Sequence, residues 1–200
     1  MDALESFKVA DMTVKIYRDE DAESPREWDN LGTMVCWHRR YHLGDEITWK
    51  YITGRPHFGS PDEFREWLET SEGKGAIVLP LYLYDHSGIT MSTGPFSCPW
   101  DSGQVGWIYA TRETIRKEYS AKRITKKLRT KVVEVLQGEV KTYDEFLTGQ
   151  VYGYVVEDAE GNDLDSCWGF FGMEYCKEEG RRAAEYTREQ ELKADKVMHL

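Results

Sequence analysis

The sequence predicts an α+β fold, a mostly antiparallel sheet packed by a long helix or helix pair, with a C-terminal helix. Three observations predict it. Strand-like runs at 13–17, 33–41, 76–84 and 104–110 are short and separated by turn-rich segments. All six Pro lie in the first 99 residues, so the later half is freer to form long helices. An apolar stripe at three- and four-residue steps then runs from about 121 to 148. Helices grouped together beside antiparallel-looking strands are the pattern of α+β.

Each element has its own signal. TVKIY (13–17) reads as a strand, and 18–30 as a polar, acidic connection. TMVCWHRRY (33–41) reads as a second strand. Residues 44–60 read as an irregular loop carrying Trp49, Tyr51 and Phe58. SPDEFREWLET (60–70) predicts a short helix, with Ser60 as N-cap, Pro61 at the first position and Glu63 three residues after the cap. AIVLPLYLY (76–84) is a strand whose Pro80 favours an edge or a bulge. QVGWIYA (104–110) is another strand, and Thr111 then caps a helix, RETIRKEY. In the long helical pattern Gly138 is a candidate kink and Gly149 a natural stop. VYGYVVED (151–158) and DLDSCWGFF (163–171) predict a hairpin around AEGN. Residues 173–197 are helical in composition with a weak apolar face, which reads as a solvated or partner-dependent helix. The domain expectation is therefore one α+β domain over 1–172 and a C-terminal helix or tail over 173–200.

Bulk composition bounds the function. Apolar residues make up 40% and aromatics 13%, enough for a real core. Net charge is −10, which argues against general nucleic-acid or anionic-membrane binding. No run reaches eighteen apolar residues, and MDALESFKVADM lacks the pattern of a signal peptide. Cys36, Cys98, Cys167 and Cys176 form no CxxC pair, so reduced thiols in a cytoplasm are expected.

The chemistry-bearing segment is 75–111, which has no Lys or Arg and only two carboxylates, Asp85 and Asp101, in a chain that is 31% charged. Its middle, 85–104, is a hydroxyl-rich loop. Cys98, His86 and Asp101 have the residue types of a thiol nucleophile, base and orienter. The stretch supplies no Lys or Arg to lower the thiol pKa, so recognition is favoured over catalysis. As a binding loop it offers Phe96, Trp100, Asp101 and Gln104. CWHRRYH (36–42) is the second candidate. On a strand, Cys36 and His38 would share a face, but no spacing supplies further metal ligands from Cys98, Cys167, His57 or His86, so no metal and no cofactor are expected. Arg39 and Arg40 are candidates for holding a phosphate, or for pairing with the acidic 19–29 segment. The third candidate is 112–131, where nine cations, Arg112 and Arg116 among them, face two carboxylates. That is +7, so the rest of the chain sums to −17. Neutralisation by 18–29 and 157–165 is the competing expectation. The acidic 157–165 segment fails the EF-hand pattern, with Asp163 where Gly is required. Signatures of dinucleotide, P-loop, zinc-protease and serine-hydrolase sites are absent.

The strings REWDNLGTMVCWHRRYHLGD, LPLYLYDHSGITMSTGPFSCPWDSGQVGWIY and DSCWGFFG resemble an uncharacterised protein family encoded by phages and mobile elements. The resemblance covers roughly 13–172 and leaves the 173–200 tail outside. It implies a source and no catalytic residues. The expectation is a cytoplasmic protein in a bacterial host that binds and modulates a host protein, such as a defence component. A small Cys-dependent hydrolase or transferase and a nucleotide- or signal-binding protein are the alternatives. Arg39, Arg40 and the basic helix would hold the phosphates in the last. The junction of the 75–111 run with that helix is the expected working surface.

Overall fold

Alternation of inward and outward side chains builds two separate sheets in a computed structural model that describes residues 2–45 and 58–198. The strands are β1 (Glu5–Val9), β2 (Met12–Arg18), β3 (Thr33–Cys36), β4 (Ile77–Asp85), β5 (Ile89–Ser92), β6 (Ser102–Ala110), β7 (Val151–Glu157) and β8 (Asp163–Phe171). The helices are α1 (Pro61–Leu68), α2 (Arg112–Glu118), α3 (Lys126–Leu147) and α4 (Met173–Met198). All strand pairs are antiparallel, in the orders β3-β6-β4-β5 and β1-β2-β7-β8. The fold is α+β, as the sequence predicts. No helix among the described residues is long and apolar enough to cross a membrane.

The chain groups into two compact units, Ser24–Leu147 and Met1–Glu23 with Thr148–Leu200. This differs from a division at 172/173, because the C-terminal helix shares a core with strands that precede residue 24 and follow residue 147 in the chain. Cys176, Gly180 and Ala184 come every four residues along α4, and all three are buried. They meet Val14, Ile16, Tyr154 and Val156 of the β1-β2-β7-β8 sheet. A Cβ at Gly180 would lie 2.8 Å from Val14 Cγ1, so the bare backbone sets how closely helix and sheet approach. Small residues add little to hydropathy, which is why this face looks weak in the sequence.

The central unit is layered. One face of its sheet presents Met34, Ile77, Leu81, Leu83 and Ile108 to Val132, Leu136, Val140 and Tyr143 of α3. The other presents Trp107 and Tyr109 to Phe64 and Trp67 of α1, with Phe58 closing the cluster. Helix starts follow their caps. Ser60 Oγ accepts from Glu63 N at 3.2 Å, Thr111 Oγ1 from Thr114 N at 3.0 Å and Thr125 Oγ1 from Leu128 N at 3.2 Å. The last cap starts α3 at 126 rather than 121, and α3 runs through Gly138 without a break. Gly149 ends the segment with φ +67°. Pro80 lies on β4 where β6 is the only strand neighbour among the described residues, since β5 pairs with Tyr82–Asp85, and a bulge follows at Leu81/Tyr82.

Two segments depart from the sequence reading, and one strand was not foreseen. The strand expected over 33–41 ends at Cys36. The chain turns back instead, with Val35 bridging Gly44 and Asp45 N–H donating to Met34 O at 3.0 Å. The 85–104 segment contains a strand, β5, where a continuous loop was expected. Met91 is buried in the core, and Asp144 of α3 accepts from Thr90 Oγ1 at 2.6 Å and Met91 N at 2.7 Å. β1 is the added strand, joined to β2 through Ala10 at φ +57°. Trp49, Tyr51 and His57 lie outside the described residues.

Candidate functional site

The central unit has a cleft of about 590 Å³ at the Ser102 end of β6. Its lining includes Arg39, Arg40, Trp100, Asp101 and Gln104, five residues singled out from the sequence, with Trp37, His38 and Asp85 beside them. The backbone explains why a cleft forms there. β6 carries β4 along one edge from Ala110 down to Ser102. Along its other edge β3 reaches only Gly106, and Trp37 N–H then donates to Val105 O at 2.8 Å before the chain turns away. Residues 102–104 therefore have a strand on one side only among the described residues. Gly106 fixes the last point of β3–β6 approach, because a Cβ there would lie 1.9 Å from Val35 O.

The returning 37–41 loop forms one wall. His38 stacks on Tyr41 at 5.0 Å, and its Nδ1 accepts from the N–H groups of Arg40 and Tyr41 at 3.3 Å each. Asp85, at the end of β4, pins this loop. It accepts from Tyr41 Oη at 3.2 Å and pairs with the Arg40 guanidinium, and its own N–H donates to Asp101 O at 2.8 Å. Arg40 thus pairs with Asp85 and not with the acidic 19–29 segment. Arg39 is exposed and makes no ion pair or hydrogen bond among the described residues.

Asp101 stands on the other wall. Its Oδ2 lies 3.4 Å from His86 Nδ1 and 3.6 Å from Cys98 Sγ. All three residues of the alternative catalytic set are therefore close, but in an order that does not suit thiol activation. A base must touch the thiol and be oriented by the acid. Here the carboxylate sits between thiol and imidazole. Ser102 Oγ donates to Cys98 O at 2.5 Å, which holds the loop in place. Trp100 is 92% exposed at the rim, the most exposed large apolar side chain among those described. Phe96 does not line the cleft. It packs on Tyr84 at 5.7 Å and supports the hairpin from outside.

Arg112 and Arg116 also stand apart from the cleft. They follow the far end of β6, and the six residue steps from Gln104 to Ala110 span about 20 Å. The expected junction of loop and basic helix is therefore two places.

Beneath the 37–45 loop lies a cluster that the sequence did not signal. Arg26 is 5% exposed. It donates to Asp45 Oδ1 at 2.7 Å, to Gly32 O at 2.7 Å and to Glu139 Oε2 at 3.3 Å. Glu139 also accepts from Leu31 N and Gly32 N, and Asp45 from Met34 N. Burial alone would lower the Arg26 pKa, but the two carboxylates outweigh it and hold the pKa above its ordinary value. Burial raises the Glu139 carboxyl against the opposing pull of Arg26. Nearby Cys36 is pushed up to about 12 by burial, with Asp45 adding and Arg26 opposing. A thiol so poorly ionised is a weak metal ligand. No group of three or more His, Cys, Asp or Glu placed to hold a metal occurs among the described residues.

Comparison with known proteins adds no relative: no family model, curated protein or solved structure matches the chain.

Proposed function

We propose that this protein acts by binding, and that the cleft at the Ser102 end of β6 receives a segment of a host protein whose activity it modulates or inhibits. The observation that carries the reading is Trp100, 92% exposed beside an unpaired Arg39. A bare indole is costly to leave in water and is a common anchor at interfaces. The open edge of β6 offers main-chain groups to an extended segment laid beside it, the β-addition mode of peptide recognition. Arg39 favours a carboxylate on that segment, because the cleft's other basic side chains are engaged: Arg40 pairs with Asp85, and His38 Nδ1 accepts from the Arg40 and Tyr41 N–H groups. A phage or mobile-element origin and action in a bacterial cytoplasm belong to the same proposal and rest on the sequence resemblance alone.

Site-directed photocrosslinking tests this. A photoreactive residue replaces Trp100 in one variant and Tyr186, 65% exposed on α4, in another. Expression in a bacterial host should give a discrete protein adduct from position 100 and none from 186. Adducts from neither, or the same adducts from both, would refute the cleft as the recognition surface.

A further inference from the structure

The α2–α3 elbow is a second surface, independent of the cleft. Its nine cations are Arg112, Arg116, Lys117, Lys122, Arg123, Lys126, Lys127, Arg129 and Lys131, and every one is exposed. The chain has 36 carboxylates, yet none pairs with any of these nine among the described residues. Elsewhere cations pair readily, as Lys15 does with Glu157, Lys177 with Glu5 and Arg188 with Asp11. Within the central unit, neither Glu27 nor Asp29 of the acidic 18–29 segment pairs with any of the nine. The contacts the nine do make leave their charge uncompensated: Arg116 Nε donates to Ala121 O at 3.3 Å, and Lys131 Nζ lies 4.9 Å over the Tyr119 ring. That cation–π contact also ties the second turn of α3 to the end of α2, so the charges share one elbow.

The first turn of α3 holds no acid, which is electrostatically unfavourable at a helix start rich in Lys and Arg. A dense anion would relieve this repulsion.

We propose that this elbow holds duplex nucleic acid through its phosphate backbone, without reading sequence. The apolar residues of the segment turn inward. Ile115 and Val132 are fully buried, and Ile124 and Leu128 pack against the same core. No large apolar side chain is exposed between 112 and 131. Protein interfaces need an apolar centre, whereas phosphate contacts need only charge. Tyr119, the segment's one aromatic, is half-buried and covered by Lys131, so no platform for stacking unpaired bases is present. The net −10 of the chain limits long-range attraction. Screening within about 8 Å at physiological salt lets the local +7 act at contact.

Fluorescence anisotropy with the full chain and a labelled duplex of about 20 bp and mixed sequence tests this. At three or four phosphates neutralised, affinity should fall roughly ten- to fifty-fold between about 50 and 150 mM KCl. The exposed triple variant Lys122→Glu/Lys126→Glu/Lys127→Glu should bind at least about tenfold more weakly and lose salt dependence by about one slope unit per charge. If it unfolds, the Gln version of the same triple replaces it. No binding at about 100 μM protein and 50 mM KCl would overturn the proposal, as would a folded variant that binds as well as the parent. So would polyglutamate competing as effectively as unlabelled duplex, which would assign the elbow to an acidic protein instead.

Discussion

The two ends of β6 treat charge in opposite ways. At the Ser102 end charges are few: Arg40 faces Asp85 and the His86 ring lies beside Asp101, leaving Arg39 and a bare indole to meet a partner. Beyond the Ala110 end nine cations stand exposed and without an ion-pair partner among the described residues. The first surface is shaped, with two walls and an open strand edge. The second has charge and no anchor. The difference teaches that a shaped, nearly neutral site suits selection among partners, while an unshaped charged one suits a uniform polyanion.

The strongest way to break the comparison is to collapse the wall of the cleft. Arg26→Leu removes the buried guanidinium that Asp45 and Glu139 share and should cost about 3–5 kcal/mol, read as a lower urea midpoint. Arg129→Leu at the elbow should change stability by less than about 0.5 kcal/mol. Equal losses would mean that the elbow cations carry structural load after all. Gly106→Ala comes next. Its new methyl must push Val35 O aside, and we expect a loss of about 1–3 kcal/mol with β3 amides exchanging faster. Asp85→Asn is milder. Arg40 is 69% exposed, so its pairing is worth under about 1 kcal/mol, but freeing the 37–41 loop should weaken partner capture while duplex binding holds. The smallest change leaves stability untouched. Mild alkylation near pH 8 should label exposed Cys167 and spare Cys36 and Cys176, whose thiols burial pushes up to about 12. Rapid labelling of Cys36 would show that the loop beside the cleft opens.

Much of the fold was legible because its signals are local. Ser60, Thr111 and Gly149 mark helix ends through backbone groups a few residues away, and the 151–171 hairpin lies around one turn. The sheet that β1 and β2 share with β7 and β8 was not legible, since its strands are separated by the whole central unit. The α4 face was missed because Cys176, Gly180 and Ala184 pack by smallness rather than by hydropathy. At the site, the lack of Lys and Arg in 75–111 pointed to the end of β6 where the cleft lies. The turn after Cys36 escaped notice because CWHRRY has strand-like composition, and what bends it is pairing with distant Asp85 and a bridge to Gly44. Arg26 looked like one more charge in a polar connection. Its burial depends on Glu139, more than a hundred residues away.

The most direct test of two separate surfaces is a crossed one. Tagged parent, Trp100→Ala/Arg39→Glu and Lys122→Glu/Lys126→Glu/Lys127→Glu proteins are used for quantitative capture from nuclease-treated bacterial lysate, and each is titrated in parallel with the duplex. The cleft variant should lose a host protein that the elbow variant retains, and the elbow variant should lose the duplex that the cleft variant retains. Loss of the same protein by both folded variants, or its retention by the cleft variant, would contradict the assignment of recognition to the cleft.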